Sequence, residues 1–360
     1  MQPLVISQSD ILPFKIPLLK PIMIAGNTVK ERSGFYLTIK TSEGLSVQGE
    51  IAPLEGISQE TDRRAKHDLT EIRSYLMGLE IPPQRDELLG MMRQEPHLLN
   101  LCASVRFAVE SAILMLASLA THQSLAEFLG ADLKDVPSAL LLQGTHQEVM
   151  ADFKRFSSQG AKVFKLKVGD RNIALDVKKI EDIRVFLDQE SYLRLDANRA
   201  WSFKEACIFA ELAGHQQIDF IEEPVNDVTQ LDAFYQQTRM RVALDETLAV
   251  VRSGIRAPGR CSSPLAGHEG VIAYVLKPMI LGLIPTLDWI EEAKLSKRKA
   301  IISSVYESPV GFKVLANLAC LSGQVAGLGT ERWFKNPKAI VGENGIIKKE
   351  LLKNSPNPSL

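Results

Sequence analysis

The sequence predicts an α/β protein, a (β/α) barrel of the TIM type that follows an N-terminal α+β capping domain. Three observations support this class. The 360 residues exceed what one compact core of ordinary size contains. The first third of the chain indicates short strands followed by helices. The central part alternates apolar runs with amphipathic segments, which is the pattern of parallel βα units.

The predicted capping domain comprises residues 1–135. FYLTIKT and GLSVQGEIAP have the composition of strands, and glycines lie near their ends. TDRRAKHDLTEIRSYLMGL and SVRFAVESAILMLASL have apolar residues at three- and four-residue spacing, which predicts helices. The segment LKDVPSA then serves as a linker to the second domain.

The predicted barrel domain comprises residues 136–330 and contains eight apolar runs, usually separated by a helical stretch. They are ALLLQ (139–143), VFKLKV (163–168), YLRLDA (192–197), DFIEEP (219–224), RVALDE (241–246), VIAYVLKP (271–278), AIISSVYE (300–307) and, the weakest, AGLG (326–329). Eight βα units close into a barrel. A doubly wound open sheet is the alternative, but no GxGxxG follows the first strand. Residues 331–360 form a C-terminal segment that we expect to pack back on the capping domain.

The composition excludes several classes of function. With 42 basic and 43 acidic residues the net charge is −1, so we expect neither a nucleic-acid partner nor a membrane surface. No secretory signal is visible at the start of the chain. The four cysteines are far apart and form no CxxC pair, which is typical of reduced cytoplasmic thiols. The sequence therefore predicts a cytoplasmic protein, and it leaves the oligomeric state open.

Charged residues recur where five consecutive barrel strands end. In strand order they are Lys165 and Lys167, Asp196, Glu222 and Glu223, Asp245 and Glu246, and Lys277. The carboxyl ends of barrel strands face one mouth, where active sites of this fold lie. Three strands that carry acids are thus flanked on each side by a strand that carries lysine.

The acids predict a site for a hard divalent cation. Carboxylates from three neighbouring strands suit Mg²⁺, which prefers oxygen ligands. Strand parity does not settle which member of each acidic pair faces the mouth. For the second member, Glu223 or Glu246, we expect a salt bridge at the strand end.

The lysines predict proton transfer. Lys165 and Lys167 are two residues apart, so both side chains should point into the barrel. Because each disfavours the other's charge, we expect the pKa of at least one to be lowered towards that of a general base. Lys277 should lie opposite, across the metal. A lysine base, magnesium and a metal-stabilised carboxylate are the combination that removes a proton next to a carboxylate to form an enediolate.

These motifs resemble the enolase superfamily, and within it the muconate-lactonizing-enzyme-like subgroup. KLK, LRLDAN, FIEEP, ALDET and VLKP occur in the order of that subgroup's barrel motifs. The resemblance implies a metal-dependent enzyme with Mg²⁺, or Mn²⁺, as cofactor. It assigns the site residues as follows: Asp196, Glu222 and Asp245 as metal ligands, Lys167 as the acid/base, Lys165 as its partner, Lys277 as the opposing cation, and Asn198 as a residue that orders the substrate region.

Other segments resemble the o-succinylbenzoate synthase family of menaquinone biosynthesis. They are GEIAPLEGIS (49–58), DANRAW (196–201), AIISSVYESPVG (300–311) and GLGTERWF (327–334). The resemblance implies a hydro-lyase that dehydrates 2-succinyl-6-hydroxy-2,4-cyclohexadiene-1-carboxylate to 2-succinylbenzoate. It implies a small carboxylate substrate contacted by Ser303, Ser304, Glu307 and Gly311, whose segment opens a helix. Pro309 departs from the family pattern and removes one backbone donor there.

Two alternatives remain open. N-acylamino-acid racemases, dipeptide epimerases and cycloisomerases of the same superfamily use similar lysines, and both lysine positions are present in this chain. A barrel that binds metal or a partner without turnover is the second alternative. Such a protein would be expected to lose one of the six charged residues first, and all six are present.

Overall fold

The computed structural model describes residues 3–24, 26–251, 255–257, 260–261, 265, 267–335 and 340–354. The strands are β1 (Leu4–Ile24), β2 (Asn27–Thr41), β3 (Ser46–Ile51), β4 (Glu80–Ile81), β5 (Val136–Pro137), β6 (Leu140–Leu142), β7 (Val163–Lys167), β8 (Tyr192–Asp196), β9 (Ile218–Glu222), β10 (Val242–Leu244), β11 (Ile255–Ala257), β12 (Arg260–Cys261), β13 (Val271–Leu276), β14 (Lys299–Ile302) and β15 (Ile346–Ile347). The helices are α1 (Asp62–Leu76), α2 (Arg85–Gln94), α3 (Pro96–Leu99), α4 (Ala103–Ala120), α5 (Leu125–Phe128), α6 (His146–Ser158), α7 (Ile173–Arg184), α8 (Phe203–Ala213), α9 (Leu231–Thr238), α10 (Glu246–Val250), α11 (Pro278–Leu281), α12 (Leu283–Leu295) and α13 (Pro309–Ser322).

The first region is an antiparallel sheet with the strand order β3-β2-β1-β4, covered by helices. β3 and α4 approach so closely that a Cβ at Gly49 would lie 2.3 Å from the carbonyl oxygen of Ala108. Glycine is therefore required at this position. α4 is long and apolar enough to cross a membrane by length and composition, but 72% of it is buried inside the protein. Its apolar sequence is thus that of a core helix.

The second region is a parallel sheet with the strand order β14-β13-β10-β9-β8-β7-β6. The weak eighth run, AGLG, closes the barrel through parallel bridges, Ser138 with Ala326 and Ser303 with Gly327. Capping boxes fix the starts of helices such as α6 and α8, where a Thr or Ser side chain and a Glu three residues later satisfy each other's backbone N–H groups. The predicted capped barrel is therefore confirmed.

Inward-facing side chains fill the barrel below its mouth. Phe220, Ala243, Ala273, Val275 and Ile301 form a compact apolar cluster there. Alternate residues such as Phe164 and Leu166 face the surrounding helices and belong to the main core. The barrel is thus packed below, and among the described residues the cavity lies at the carboxyl ends of its strands.

The C-terminal segment contacts both regions. Phe334 bridges to Leu18 of β1, and β15 pairs with β5. The Asn354 side chain donates to the carbonyl oxygen of Gln123, 2.7 Å away, at the end of the first region. The division into 1–135, 136–330 and 331–360 stays our proposal. The long connection after β10, at 251–270, lies partly outside the described residues; its described part includes the β11–β12 pair.

Candidate active site

The three acids lie side by side because the strand register aligns them. Asp196 pairs with Lys167 on one side and with Glu222 on the other. Glu222 pairs with Ala243, and Asp245 follows two residues later at the end of the neighbouring strand. All three carboxylates are buried. One row of strand ends therefore carries three carboxylates, of which Asp196 and Asp245 line a cavity and Glu222 lies beside Lys165.

The lysines lie around these acids. Lys165 Nζ is 2.8 Å from Asp196 Oδ2 and 2.6 Å from Glu222 Oε2. Lys167 Nζ donates to Asp196 Oδ2 at 2.7 Å and to Asn198 Oδ1 at 2.5 Å. Lys277 Nζ donates to Asp245 Oδ2 at 2.5 Å. β7 and β13, which lead to Lys167 and Lys277, are separated by three strands, so these two lysines enter the cavity from different sides.

Exposure distinguishes the lysines. The side chain of Lys167 is 35% exposed, whereas those of Lys165 and Lys277 are 12% and 13% exposed. A proton acceptor must reach its substrate to within hydrogen-bond distance. Lys167 has the freest access of the three.

The expected fall in a lysine pKa is wrong for Lys165 in this structure. Burial acts to lower the pKa of Lys165, but the carboxylates of Asp196 and Glu222 outweigh it and hold the pKa above its ordinary value. The like charge of the second lysine is thus a smaller influence than the two acids. Lys277 behaves similarly: burial opposes protonation, but Asp245 keeps its pKa raised.

Burial and neighbouring charges shift the pKa values of the three acids. Burial raises the pKa of Glu222 to about 7 and that of Asp245 to about 6, and Asp196 adds to both shifts. The pKa of Asp196 is lowered, because the lysines around it outweigh the effect of burial. Crowded carboxylates whose negative charge is disfavoured form an environment that a cation stabilises.

The donor chemistry fits a hard divalent cation. Three carboxylates from neighbouring strands supply the oxygen ligands that Mg²⁺ prefers, and Glu246 adds a buried oxygen, Oε2, that has no hydrogen-bond partner in the part of the chain that the structure describes. Within the described part of the chain, no three acidic, histidine or cysteine side chains already converge on one coordination point. In this structure the carboxylate oxygens instead contact the lysine ammonium groups, whose positive charge balances the negative charge of the three acids.

The second members of the two acidic pairs differ. Glu223 forms the expected ion pair, with Arg199 Nε 2.9 Å from its Oε2. Its Oε1 also accepts from the backbone N–H groups of Asp245 and Thr247, both at 2.8 Å. Glu223 therefore holds the turn that carries Asp245. The expectation of a salt bridge is wrong for Glu246, which lines the cavity and accepts from the Asn198 amide at 2.9 Å.

Backbone strain accompanies these contacts. Asn198, Arg199 and Glu223 have φ values of 43°, 60° and 42°, in the left-handed region that non-glycine residues seldom adopt. Such conformations persist where surrounding contacts hold them, and they cluster at functional sites. Asn198 lines the cavity, as predicted from its place two residues after Asp196.

A cavity of about 650 Å³ lies over the charged residues. Both regions of the protein line it. The first contributes Met23, Ile24, Leu54, Gly56, Ile57 and Gln59, and the second contributes Lys165, Lys167, Asp196, Asn198, Asp245, Glu246 and Lys277. Leu54, Gly56 and Ile57 belong to GEIAPLEGIS, one of the segments that resemble the o-succinylbenzoate synthase family. The sequence did not identify Met23 and Ile24 as cavity residues. They lie at the end of a long strand, and their pattern of burial there is that of an ordinary strand.

The predicted substrate contacts divide into two groups. Ser303 and Ser304 line the cavity. Glu307 and Gly311 do not: Glu307 is buried and accepts from the backbone of Val305, and the Gly311 N–H donates to Glu50. The prediction for these two residues is therefore corrected, because Glu50 already satisfies the start of α13. Tyr306 and Gln143 line the cavity and were missed.

The comparisons with known proteins agree with this geometry. Residues 148–256 match the family described as enolase C-terminal domain-like, and residues 6–81 match the family described as MenC, N-terminal domain. An o-succinylbenzoate synthase from Haemophilus influenzae is 30% identical over 310 residues, which cover 85% of this chain and 84% of that protein. One from Aliivibrio fischeri is 28% identical over 98% of this chain and 95% of its own length.

Solved structures share the fold. The L-Ala-D/L-Glu epimerase from Bacillus subtilis has a TM-score of 0.81 at 21% identity, over 95% of this chain and 96% of that one. A dipeptide epimerase from Cytophaga hutchinsonii, complexed with Mg and the dipeptide D-Ala-L-Val, has a TM-score of 0.79 at 22% identity, over 96% and 93%. At these identities the likeness establishes the fold alone.

Proposed function

The chain belongs to the o-succinylbenzoate synthase family, whose barrel domain is of the enolase type, and from this premise we propose that it dehydrates 2-succinyl-6-hydroxy-2,4-cyclohexadiene-1-carboxylate to 2-succinylbenzoate. One observation carries the proposal. Lys167 and Lys277 enter one cavity from different sides, with Asp196, Glu222 and Asp245 on the strands between them. This arrangement suits a reaction that forms an anion next to a carboxylate and stabilises it.

Lys167 is the proposed base. In its neutral form, Nζ accepts the proton from the ring carbon that bears the carboxylate. The same nitrogen, now protonated, donates that proton to the departing 6-hydroxyl group, which leaves as water while the ring becomes aromatic. Asp196 and Asn198 hold Nζ through contacts of 2.7 and 2.5 Å, so the base and the acid occupy the same position in both steps.

The remaining charged residues support that step. Mg²⁺ bound by Asp196, Glu222 and Asp245 would supply the positive charge that stabilises the substrate carboxylate and the anion derived from it. Lys277 places a second cation on another side of the cavity, and Lys165 balances the charge of Asp196 and Glu222. The same oxygen ligands also suit Mn²⁺. The assignment of these roles, of Ser303 and Ser304 as substrate contacts, and of a cytoplasmic location all form part of the proposal.

The test is a dehydration assay with this substrate and Mg²⁺, following formation of 2-succinylbenzoate. We expect turnover by the wild type and its loss in Lys167→Ala. Lys162→Ala is the matched control, because Lys162 immediately precedes the same strand but pairs with Asp188 on the surface. Turnover should persist in that variant. A folded, magnesium-loaded wild type that does not convert the substrate would remove the assignment.

A second candidate is epimerisation of dipeptides or N-acylamino acids. The observation that favours it is that two lysines from opposed strands, Lys167 and Lys277, both reach the cavity. An epimerase needs a base on each face of the substrate, whereas a dehydration that uses one face needs only one. Exchange of the substrate α-proton with deuterated solvent distinguishes epimerisation from dehydration, because epimerisation depends on both Lys167 and Lys277 as bases. If dehydration fails and exchange occurs with dipeptides, the epimerase assignment replaces the synthase.

A further inference from the structure

Two buried charged residues of the first region join the two walls of the cavity. Arg32 lies in β2 and Glu50 in β3, and their exposed fractions are 3% and 1%. Neither lines the cavity or contacts the charged residues of the mouth. Their partners, however, belong to the segments on either side of it.

Arg32 holds residues 52–58, the cap loop, against the barrel. Its guanidinium donates to the carbonyl oxygens of Ala52 at 2.5 Å and Pro53 at 3.1 Å, just before the cavity-lining residue Leu54. Its Nε donates to the carbonyl oxygen of Tyr306, 3.2 Å away, in the loop that follows β14. Tyr306 lines the cavity and has a φ of 63°, so its strained conformation is held by contacts of this kind. One planar cation thus spans both walls.

Glu50 holds the other end of the same barrel loop. Its Oε1 accepts from the Ser308 N–H at 2.9 Å, and its Oε2 accepts from the Ser308 hydroxyl at 2.6 Å and from the Gly311 N–H at 2.8 Å. These are groups at the start of α13, where backbone N–H groups lack helical partners and favour negative charge. The carboxylate of one region therefore caps a helix of the other.

From these contacts we infer that Arg32 and Glu50 are positioning residues that form an interdomain latch, which fixes the spacing between the cap loop at 52–58 and the barrel loop at 303–308. This spacing sets the width of the cavity over Lys167. The inference rests on the proposed function only for the identity of the substrate. A shift of about 1 Å at a distance from the chemistry can lower a rate by about 100-fold.

The first test compares two arginines that both join the regions. Arg93 of α2 donates to Asp288 of α12, at 3.1 and 2.9 Å, but neither residue lines the cavity. We expect Arg32→Lys to raise KM and lower kcat/KM by about 10- to 100-fold, while Arg93→Lys leaves both near the wild-type values. The concentration of Mg²⁺ required for half-maximal activity should not change in either variant. Equal kinetic constants in folded Arg32→Lys and Arg93→Lys would overturn the inference.

The second test does not require turnover. Hydrogen–deuterium exchange is measured on the amides of 52–58 and 305–311, with and without 2-succinylbenzoate as the probe ligand. In the wild type the two segments should open together, and in Arg32→Lys or Glu50→Gln both should exchange faster, while Arg93→Lys leaves them unchanged. If the substituted proteins do not fold, the wild-type rates decide: separate opening of the two segments would contradict the latch. If the wild type exchanges as expected but does not dehydrate the substrate, the proposed function fails and the latch stands.

Discussion

The barrel buries two clusters of charge, one at each end of the same strands. At the mouth, Asp196, Glu222 and Asp245 contact three lysines beneath a cavity. At the other end, Asp219 accepts from Lys299 at 2.6 Å and from Arg194 at 3.3 Å. Both clusters consist of residues in the barrel strands or immediately after them, and both include buried carboxylates. They differ in how completely their charges are satisfied.

The cluster of Asp219, Arg194 and Lys299, the lower cluster, is closed, because its acid and its buried arginine both have partners. Arg194 also donates to the carbonyl oxygen of Val325 at 2.7 Å and lies over the ring of Phe220, so Asp219 sits between a buried, well-partnered arginine and Lys299, whose side chain is 36% exposed. The mouth cluster is open. Burial keeps the pKa values of Glu222 and Asp245 raised although three lysines lie beside the acids, so negative charge there remains disfavoured. A buried charge that has its partners is costly to a fold when one partner is removed, whereas crowded acids beneath a cavity leave a position for a cation and a substrate.

The largest expected effect comes from changing the mouth cluster. Glu222→Gln should lower the dehydration rate by about 1000-fold, the scale on which electrostatic stabilisation of an anion operates. The free energy of unfolding of the metal-free protein should change little, because Lys165 keeps Asp196 as a partner at 2.8 Å. Turnover assays, magnesium titration and thermal unfolding measure these quantities. A variant with more than about a tenth of wild-type activity would contradict the role proposed for Glu222.

The lower cluster should show the opposite response. Asp219→Ala leaves Arg194, which is 2% exposed, beside Lys299 with no carboxylate between them. Breaking a buried pair in this way costs about 3–5 kcal/mol of stability. The kcat of the protein that remains folded should equal that of the wild type. Asp188→Asn, at an exposed ion pair with Lys162, is the control and should leave the unfolding midpoint unchanged. Loss of kcat in folded Asp219→Ala would break the contrast between the two ends.

The sequence predicted the mouth cluster because its acids and lysines recur at the ends of successive apolar runs. The common direction of parallel strands was sufficient to bring the acidic strand ends together, and the resemblance to the enolase superfamily selected Glu222 and Asp245 from the two acidic pairs. The lower cluster gave no such signal. Asp219 lies at a register irregularity between β8 and β9, and a pattern with a strict period of two does not locate its side chain.

The cavity wall was predicted only in part, because it depends on contacts between distant segments. Glu307 and Gly311 follow Ser303 and Ser304 in the chain, and proximity in sequence suggested that they share a role. In the structure the Gly311 N–H instead donates to Glu50, which lies 261 residues earlier in the chain. Glu50 belonged to the segment GEIAPLEGIS, but a single sequence contains nothing that pairs it with α13. The same holds for Arg32 and Tyr306, which are 274 residues apart.

Glu307 offers the finest test of the comparison. In the described part of the chain only one of its two carboxyl oxygens is paired, so its charge is satisfied less completely than in the lower cluster. Its Oε2 accepts from the Val305 N–H at 2.8 Å, while its Oε1 is buried without a hydrogen-bond partner among the described residues. Burial, together with the charge of Glu50, raises the pKa of Glu307 to about 8. The folded state therefore binds this proton more tightly than the unfolded state does. The resulting stability is present below the unfolded pKa, near 4.5, and is lost as the pH rises through the folded value.

Glu307→Gln removes that proton equilibrium, so its unfolding free energy should depend less on pH than that of the wild type. Between pH 5 and pH 7 the wild type should lose about 2 to 3 kcal/mol relative to the variant, at about 1.4 kcal/mol per pH unit. Urea unfolding at several pH values measures this difference. Glu205→Gln, at an exposed capping box, lacks the burial that raises a carboxyl pKa and should not reproduce it. If wild type and Glu307→Gln lose stability in parallel over this range, Glu307 is ionised in the folded protein and has a cationic partner, as Asp219 does at the closed end.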